Sequence, residues 1–477
     1  MGYNKYIKNK EVFSMARLTA VILAAGKGTR MVSDLAKVLH KVNGRPMLSY
    51  VIDAACNAGA NDILLVVGHG AKQVKDTYGE SCLYCQQMPQ LGTGHALQVA
   101  LPYLPEDSED IMVICGDTPV ISAETLSDFY SFYKKSRVSA TVLSAELANP
   151  TGYGRIVRGA DGNVQRIVEQ RDASEQEKQI KEINTGAYCF RLHDVAQVIA
   201  DLKPNNAQGE YYLTDVIPAL AAAGKSVNSQ IMTDSKEFFG VNDRLQLAQA
   251  AKILRQRKCR QLMLAGVSII DPKTTYIEDS VKIGPDTVVE PNVIIRGATV
   301  IGQSCFIGKD CDITDSVIGA GSSLKKAVLW EAQTGQNCNI GPFAYLRPGT
   351  VLSDNVKVGD FVEIKKSQIG TGSKVPHLSY IGDATVGEKV NIGCGTITCN
   401  YDGYHKYPTE ISDGVFIGSN SNLVAPVKIG KNATVAAGST ITEEVPEESL
   451  GIARGRQANK QGWSEKKRKK EQELSNK

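Results

Sequence analysis

The stretch IGPDTVVEPNVIIRGATVIGQSCFIGKDCDI, residues 283–313, carries an aliphatic residue at every sixth position: Ile283, Val289, Ile295, Ile301, Ile307 and Ile313, three of them followed by glycine. The same step recurs through Ile340, Leu346, Leu352, Val358 and Ile364, and again through Ile417, Leu423, Ile429, Val435 and Ile441. Neither the 3.6-residue period of a helix nor the two-residue period of a strand produces it; hexapeptide β-helix repeats do. Each hexad then forms one flat face of a triangular coil, its aliphatic residue pointing into a prism too narrow for anything larger. Three hexads close a turn, and the segment from about Val267 to Arg454 supplies roughly ten turns of a solenoid in which each coil packs on its neighbours. Such solenoids serve as scaffolds for many purposes, so the period speaks to shape and not to chemistry.

A chain of 477 residues exceeds one core, and two or three domains are expected. With 42% hydrophobic residues, 22% charged residues and a formal net charge of +3, the composition is that of a soluble globular protein and gives no sign of nucleic-acid or membrane binding. The eleven cysteines are scattered, mostly in apolar runs such as Val113-Ile114-Cys115. An odd count without a secretion signal points to reduced thiols in a cytoplasm. Cys82-Leu83-Tyr84-Cys85 has zinc-like spacing but no second pair to complete a tetrahedron. The apolar run Leu18 to Gly26, after Lys10 and Arg17, is short for a signal peptide and leads into glycines and Arg30. Met1-Gly2 has Tyr6 where N-myristoylation needs Ser or Thr. No segment reaches the roughly 18 apolar residues of a membrane span. Residues 1–15 carry no readable pattern, and Met15 is an alternative start.

In the N-terminal half strand-like and helix-like segments alternate: Leu18 to Ala25 strand, Pro46 to Ala58 helix, Asp62 to Val67 strand, Ala96 to Leu104 helix, Asp110 to Cys115 strand. That order predicts a mostly parallel α/β sheet with its ligands at the carboxyl ends of the strands. The first loop there is Leu23-Ala24-Ala25-Gly26-Lys27-Gly28-Thr29-Arg30-Met31. Glycines let backbone N–H groups approach an anion, and Lys27 and Arg30 add charge, so phosphate is a fitting ligand; a tight turn with solvated cations is the competing reading. Met31 stands where a dinucleotide fingerprint needs its third glycine, and Gly224-Lys225-Ser226 has Ala219 where a P-loop needs its first.

Leu23 to Met31 followed by Lys37-Val38-Leu39 resembles the signature of sugar-1-phosphate nucleotidyltransferases. In chain order come Gln90-Leu91-Gly92-Thr93-Gly94-His95-Ala96, Gly116-Asp117, Pro150-Thr151-Gly152-Tyr153-Gly154-Arg155, Ile167-Val168-Glu169, Glu182-Ile183-Asn184-Thr185-Gly186, Asn206-Ala207-Gln208-Gly209-Glu210-Tyr211-Tyr212 and Gly240-Val241-Asn242. The series resembles the uridyltransferase half of the bacterial bifunctional family of N-acetylglucosamine-1-phosphate uridyltransferases and glucosamine-1-phosphate N-acetyltransferases. The resemblance implies a Rossmann-like nucleotidyltransferase domain in which a sugar-1-phosphate oxygen attacks the α-phosphorus of UTP and pyrophosphate leaves. Crowded phosphate charge makes positioning and neutralisation the main tasks. By the same resemblance Leu23, Ala24, Ala25 and Gly26 meet the uridine nucleotide, Arg30 and Lys37 act at phosphates, and Gln87, Gly92 and Thr93 recognise uracil. Gly154, Glu169 and Asn184 hold the sugar. Asp117 and Asn242 offer hard oxygen ligands to Mg²⁺, which characteristically uses one or two carboxylates and keeps its waters. Cys115 departs from the tyrosine expected before this Gly-Asp.

Arg244 to Ala265 is rich in Leu, Ala, Gln, Arg and Lys and stops at Gly266, a frequent helix C-cap. It reads as a connecting helix of about 33 Å that holds two sites apart, or as the last helix of the first domain. In the second half the repeat breaks at three places: Gly341-Pro342-Phe343-Ala344-Tyr345-Leu346-Arg347-Pro348-Gly349; Asp360 to Lys366 with Lys374-Val375-Pro376-His377-Leu378-Ser379-Tyr380; and Thr396 to Asp413, too irregular for a coil and read as an extruded loop. Function in solenoids collects at such breaks. These residues resemble the acetyltransferase half of the same family, which moves an acetyl group from acetyl-CoA to the amine of glucosamine-1-phosphate. An amine attacks only unprotonated, so a base near neutrality helps. The resemblance implies His377 as base with Glu363 as its orienting partner, Arg347 and Lys365 as paired cations on the sugar phosphate, and Tyr380 and Asn391 on the sugar. Cys394, where alanine is more usual, falls with Asn400, Tyr401, Ser419, Ala437 and Arg454 at acetyl-CoA positions.

Family acyltransferases of this type are left-handed parallel β-helices and homotrimers, so both are implied. The boundaries expected are an N-terminal tail 1–17, a uridyltransferase domain 18–243, a helical linker 244–266, a β-helix acetyltransferase domain 267–455 and a basic tail 456–477. The tail run Lys466-Lys467-Arg468-Lys469-Lys470 reads as solvated and disordered. Two other classes fit part of the pattern. One is a single-activity nucleotidyltransferase with a structural β-helix, which would lack the His377, Lys365 and Asn400-Tyr401 set. The other is a non-catalytic scaffold subunit, which would lose Lys37, Asp117 and Asn242.

Overall fold

Residues 18 to 24 feed two cores alternately, and this makes them a central strand rather than a helix. Leu18, Ala20, Ile22 and Ala24 pack on one face and Val21 on the other in the computed structural model, which describes residues 17–475. The readings on Met1-Gly2, Tyr6 and Met15 lie outside those residues. The chain divides into two compact units, residues 1–255 and 256–477.

The first unit holds one sheet of nine strands: β1 (Arg17–Ala24), β2 (Asp62–Val67), β3 (Leu83–Gln86), β4 (Ser108–Cys115), β5 (Ala140–Glu146), β6 (Arg155–Arg158), β7 (Val164–Val168), β8 (Glu182–Arg191) and β9 (Val227–Ile231). Its order is β9-β5-β8-β4-β1-β2-β3, with β6 paired to β8 and β7 to β6. β1 is parallel to both β2 and β4, β3 is parallel to β2, and β9 to β5. The sheet is mostly parallel, as expected; β8, which the alternation did not reveal, runs antiparallel between β4 and β5. Because the chain leaves β1 towards β2 and returns on its other side as β4, the order reverses at β1, and the loops after β1 and β4 flank that switch point. Gly116 N–H donates to Leu23 O at 3.0 Å across it.

The helix expected from Ala96 to Leu104 instead spans Thr93–Ala100, followed by a tight turn Leu101–Tyr103. Its early start follows from Gly92, at φ 115°, and from Gly94, where a Cβ would stand 2.9 Å from the carbonyl oxygens of Tyr211 and Tyr212. A helix spans Arg244–Leu264 and stops before Gly266, whose φ is 93°. It is not a bare rod: Ala250 and Leu254 join the core of Val42, Met47, Val120 and Val241, whereas Cys259 and Leu262 join the core of the second unit.

That second unit is the three-sheet left-handed β-helix, with sheets of 11, 10 and 9 short parallel strands. Each strand pairs with the one a full coil later, as Val288–Val289 does with Phe306–Ile307. The interior is aliphatic with a few cysteines and no aromatic residue among those described. The six-residue step is interrupted by shorter ones: Ile313 is followed by Ile318, Leu324 by Leu329, Leu329 by Thr334, Ile364 by Ile369 and Ile381 by Val386. Each short step turns on one left-handed residue, namely Asp315, Lys326, Glu331, Lys366 and Asp383, with φ between 43° and 49°. These slips explain why the ladder readable to Ile313 resumes out of phase at Ile340. The irregular segment is narrower than Thr396 to Asp413, because Ile397–Cys399 and Thr409–Ile411 are regular rungs and only residues 400–408 leave the coil.

The basic tail is solvated but not disordered: Trp463–Ser475 is a helix with no buried residue. Glu465 pairs with Lys469 at 2.9 Å one turn on, and Lys467 Nζ lies 5.3 Å from the Trp463 ring centroid. Pairs at that spacing support a solvated helix.

Each face fills the prism with one anchor and one residue two places before it, as Leu346 and Ala344 do, so each anchor is costly to lose. Truncating the fully buried Leu346 to alanine is expected to destabilise the β-helix by about 2–5 kcal/mol. Urea unfolding followed by Trp330 fluorescence checks this, and an unchanged midpoint would show that the prism tolerates the cavity.

Candidate active sites

Three adjoining cavities open at the carboxyl ends of β1 and β4. One of about 340 Å³ is walled by Leu23, Ala24, Ala25, Gly26, Lys37, Gln87, Gly92, Thr93, Cys115 and Asp117, so nearly all the residues assigned to nucleotide share one space. At Gly26 a Cβ would meet nothing within 4 Å, which leaves its backbone open to a ligand. Gln87 is buried, and its Nε2 donates to Gly92 O at 2.8 Å and contacts His95 Nδ1 at 3.1 Å, fixing the far wall. Gln90 donates to Ala25 O at 2.5 Å and ties that wall back to the first loop.

Lys37 forms the polar centre. Its ammonium pairs with Asp117 and donates to Asn242 Oδ1 at 3.0 Å. Two hard oxygens separated by 125 positions in the chain therefore converge on one cationic group, and oxygen is the donor type that hard divalent ions take. The ammonium stands in for that charge. No cluster of three or more His, Cys, Asp or Glu suited to a metal occurs among the described residues. An ion at this point would accordingly complete its shell with water and phosphate, as Mg²⁺ does. Arg30 is exposed on the wall of the neighbouring cavity, which Asp117, Asn242 and Gly152 also line. The thiol of Cys115 is pushed up to about 12 by burial and by Asp117, so it is a neutral wall group beside that carboxylate.

Glu169 lines the third cavity with Gly152, Glu210 and Tyr212. Burial, then Asp172 and Asp215, raise its carboxyl above the usual range. A Cβ at Gly154 would sit 3.2 Å from Glu169 Oε1, so glycine spares that carboxylate a shift of a few tenths of an ångström. Asn184 is tied to Gly154 through its N–H at 2.9 Å. Its side chain is engaged internally, accepting from Gly186 N and donating to Tyr188 Oη at 2.8 Å. Gln90, Glu210 and Gly152 were quoted in the sequence motifs without a role, yet they line these cavities.

In the β-helix, His377, Cys394, Ser419 and Ala437 each stand two residues beyond an inward anchor, Val375, Ile392, Ile417 and Val435. Successive rungs are in register, Ile392 beside Ile417 and Ile417 beside Val435, so the last three of the four stack along one corner of the prism. His377 ends the rung Lys374–His377, whose Lys374 pairs with Asn391, and continues the same corner. Arg454 closes the line by donating to Ala437 O at 2.8 Å. On the adjoining sheet Arg347 follows Leu346, whose partner Ile364 precedes Lys365, and Lys365 lies beside Gly382, one residue after Ile381.

Glu363 Oε1 accepts from Arg347 NH1 at 2.7 Å, and these two residues occupy neighbouring rungs of the same sheet. The imidazole of His377 is exposed. Lys406, absent from the sequence reading, comes from the 400–408 excursion to within hydrogen-bonding reach of Lys365 and lowers that ammonium's pKa ahead of any burial effect. These two cations in contact, with the Asp383 carboxylate also acting on Lys365, keep a net positive charge at this place. The excursion is held by an Asn400–Asp383 hydrogen bond and by the Tyr401–Lys406 bridge, while the Tyr401 side chain remains exposed.

Three family descriptions match consecutive parts of the chain: MobA-like NTP transferase domain over residues 20–178, GMPPB C-terminal domain over 265–358, and bacterial transferase hexapeptide (six repeats) over 408–443. Similarity to whole proteins runs nearly end to end. Bifunctional protein GlmU of Geobacillus sp. (strain WCH70) is 52% identical over 449 residues, 94% of this chain and 98% of the relative. That of Carboxydothermus hydrogenoformans is 53% identical over 446 residues, covering 94% and 100%, and that of Heliobacterium modesticaldum 50% over 455, covering 95% and 99%. With a nucleotidyltransferase pocket in one unit, a lined corner in the β-helix of the other, and relatives matched over almost their full length, the chain belongs to the GlmU family of bifunctional uridyltransferase–acetyltransferase enzymes.

Proposed function

We propose that the chain makes UDP-N-acetylglucosamine in two steps, acetylating glucosamine-1-phosphate with acetyl-CoA in the β-helix and then transferring uridylyl from UTP in the α/β unit. The observation that carries the two-site reading is the exposed corner line from His377 to Ala437 beside the cation row of Arg347 and Lys365. A purely structural β-helix has no need of charge there.

In the first step the sugar phosphate rests on Arg347, Lys365 and Lys406, while Tyr380 and Asn391 meet the sugar. The amine nitrogen attacks the thioester carbonyl, the C–S bond breaks, and His377 removes the proton from nitrogen as CoA thiolate leaves. The cofactor lies along Cys394, Ser419 and Ala437, with Asn400, Tyr401 and Arg454 around it. In the second step Gln87, Gly92 and Thr93 receive the uracil, and Gly154, Glu169 and Asn184 the N-acetylated sugar. Arg30 and Lys37 neutralise phosphate charge as the sugar phosphate oxygen displaces pyrophosphate in line. Magnesium, when bound by Asp117 and Asn242, would neutralise and orient the phosphates.

A homotrimer fits this reading through the family to which the chain belongs. A cytoplasmic setting fits cysteines that form no disulfide among the described residues. No described helix is long and apolar enough to cross a membrane. The domain limits proposed remain 18–243, 244–266 and 267–455, with the middle segment divided between the two units.

The separation of sites is tested by two substitutions in the full chain. His377→Ala is expected to lower the acetyl-transfer kcat by about 10²–10⁴ and to leave uridylyl transfer within twofold. CoA release and pyrophosphate release, assayed separately, check this, and equal loss of both would contradict independent sites. Asp117→Ala should reverse the pattern, with uridylyl transfer down at least about 100-fold and acetyl transfer unchanged. Full Mg²⁺-dependent uridylyl transfer by that variant would remove Asp117 from the site.

A further inference from the structure

Gly382 is a buried position in the row that carries Arg347 and Lys365 on earlier coils. Both cations project outward, since each follows an inward anchor; at the third place in the row there is no side chain. The space is filled by a neighbour. A Cβ on Gly382 would lie 2.4 Å from Tyr380 Oη, 2.7 Å from its Cζ and 2.8 Å from its Cε1, so the far half of the phenol ring lies directly over the glycine. Tyr380 is only two residues earlier on the same strand, with Ile381 pointing inward between them. The ring is thus folded along its own strand, and its hydroxyl is carried out of the column of Tyr345 and Glu363 into the row of Arg347 and Lys365.

Nothing in the backbone demands glycine here. Gly382 is absent from the positive-φ residues, and its N–H donates to the buried Thr398 Oγ1 at 2.8 Å as any residue's would. The close approach of the ring alone excludes a side chain, and a phenol is free to swing outward about χ1, whereas the rung beneath is not free to move.

We propose that Gly382 is a positioning residue for acetyl transfer: by leaving its place in the cation row empty, it lets the Tyr380 ring lie flat and sets the hydroxyl beside the groups that receive the sugar phosphate. This rests on the assignment of Tyr380 to the sugar. A methyl group at position 382 turns the ring away, and the substrate loses one hydrogen-bonding partner while the coil keeps its fold.

The test is a double-mutant cycle in the full-length enzyme with Gly382→Ala, Tyr380→Ala and the pair. It reads kcat and KM for glucosamine-1-phosphate, KM for acetyl-CoA, and uridylyl transfer as a control for folding. Gly382→Ala is expected to raise KM for glucosamine-1-phosphate by about 3- to 10-fold, the worth of one hydrogen bond, with KM for acetyl-CoA and uridylyl transfer within twofold. Tyr380→Ala should show a similar rise, and adding Gly382→Ala to it should change KM by less than twofold, because the ring that the methyl displaces is gone. A normal KM in Gly382→Ala beside a raised KM in Tyr380→Ala would overturn the role of Gly382 while sparing that of Tyr380. A normal KM in Tyr380→Ala would overturn both. An equal penalty from Gly382→Ala with and without Tyr380 would show that the glycine acts through the coil and not through the ring.

Discussion

Each face of the β-helix turns only an aliphatic anchor and the residue two places before it into the interior, and the rest of the second unit follows from that limit. Val, Ile and Leu at the anchors stack in register through the three sheets, so every neighbouring position is forced outward at a fixed place. A residue two places beyond an anchor recurs at the same corner on each coil. His377, Cys394, Ser419 and Ala437 thereby become neighbours although 60 positions separate the first from the last. The scaffold contributes to chemistry by spacing: coils about 4.8 Å apart set out a row of groups along which an extended cofactor can lie.

In the α/β unit the comparable constraint is the reversal of strand order at β1. A strand buried on both faces has no room for polar groups until it ends, so the polar residues gather in the loops at its carboxyl end. The loop with Gly26 and the turn with Asp117 therefore meet, and Asn242, arriving just before the helix Arg244–Leu264, completes the group around Lys37. Without substrate, the lysine satisfies oxygen donors suited to a metal. Phosphate and magnesium together would replace one ammonium with a larger and better-distributed charge.

Much of this was legible in the sequence because periods and ordered motifs are local. The hexads announced the β-helix, and β1, β2 and β4 were bounded within two residues at each end by their apolar runs. The rest depended on contacts that no local pattern encodes. Short steps at Asp315, Lys326 and Glu331 hid the middle coils because a left-handed corner can be taken by several residue types. Lys406 reached Lys365 only because an excursion folds back on the coil. Glu363 came from the resemblance as a partner of His377, and no local pattern announced that its carboxylate pairs with Arg347 on the neighbouring rung. The tail was read from its charge run, and the helix Trp463–Ser475 instead reflects ion pairing and a cation–ring contact one turn apart.

The central claim is that one chain carries two activities that act in sequence on one sugar phosphate. The most direct measurement is to incubate the purified protein with glucosamine-1-phosphate, acetyl-CoA, UTP and Mg²⁺ and to identify the products by mass. The account predicts UDP-N-acetylglucosamine, CoA and pyrophosphate, with only N-acetylglucosamine-1-phosphate accumulating when UTP is withheld. Failure to acetylate the sugar phosphate, while supplied N-acetylglucosamine-1-phosphate is still converted to the nucleotide sugar, would contradict it and reduce the β-helix to a scaffold.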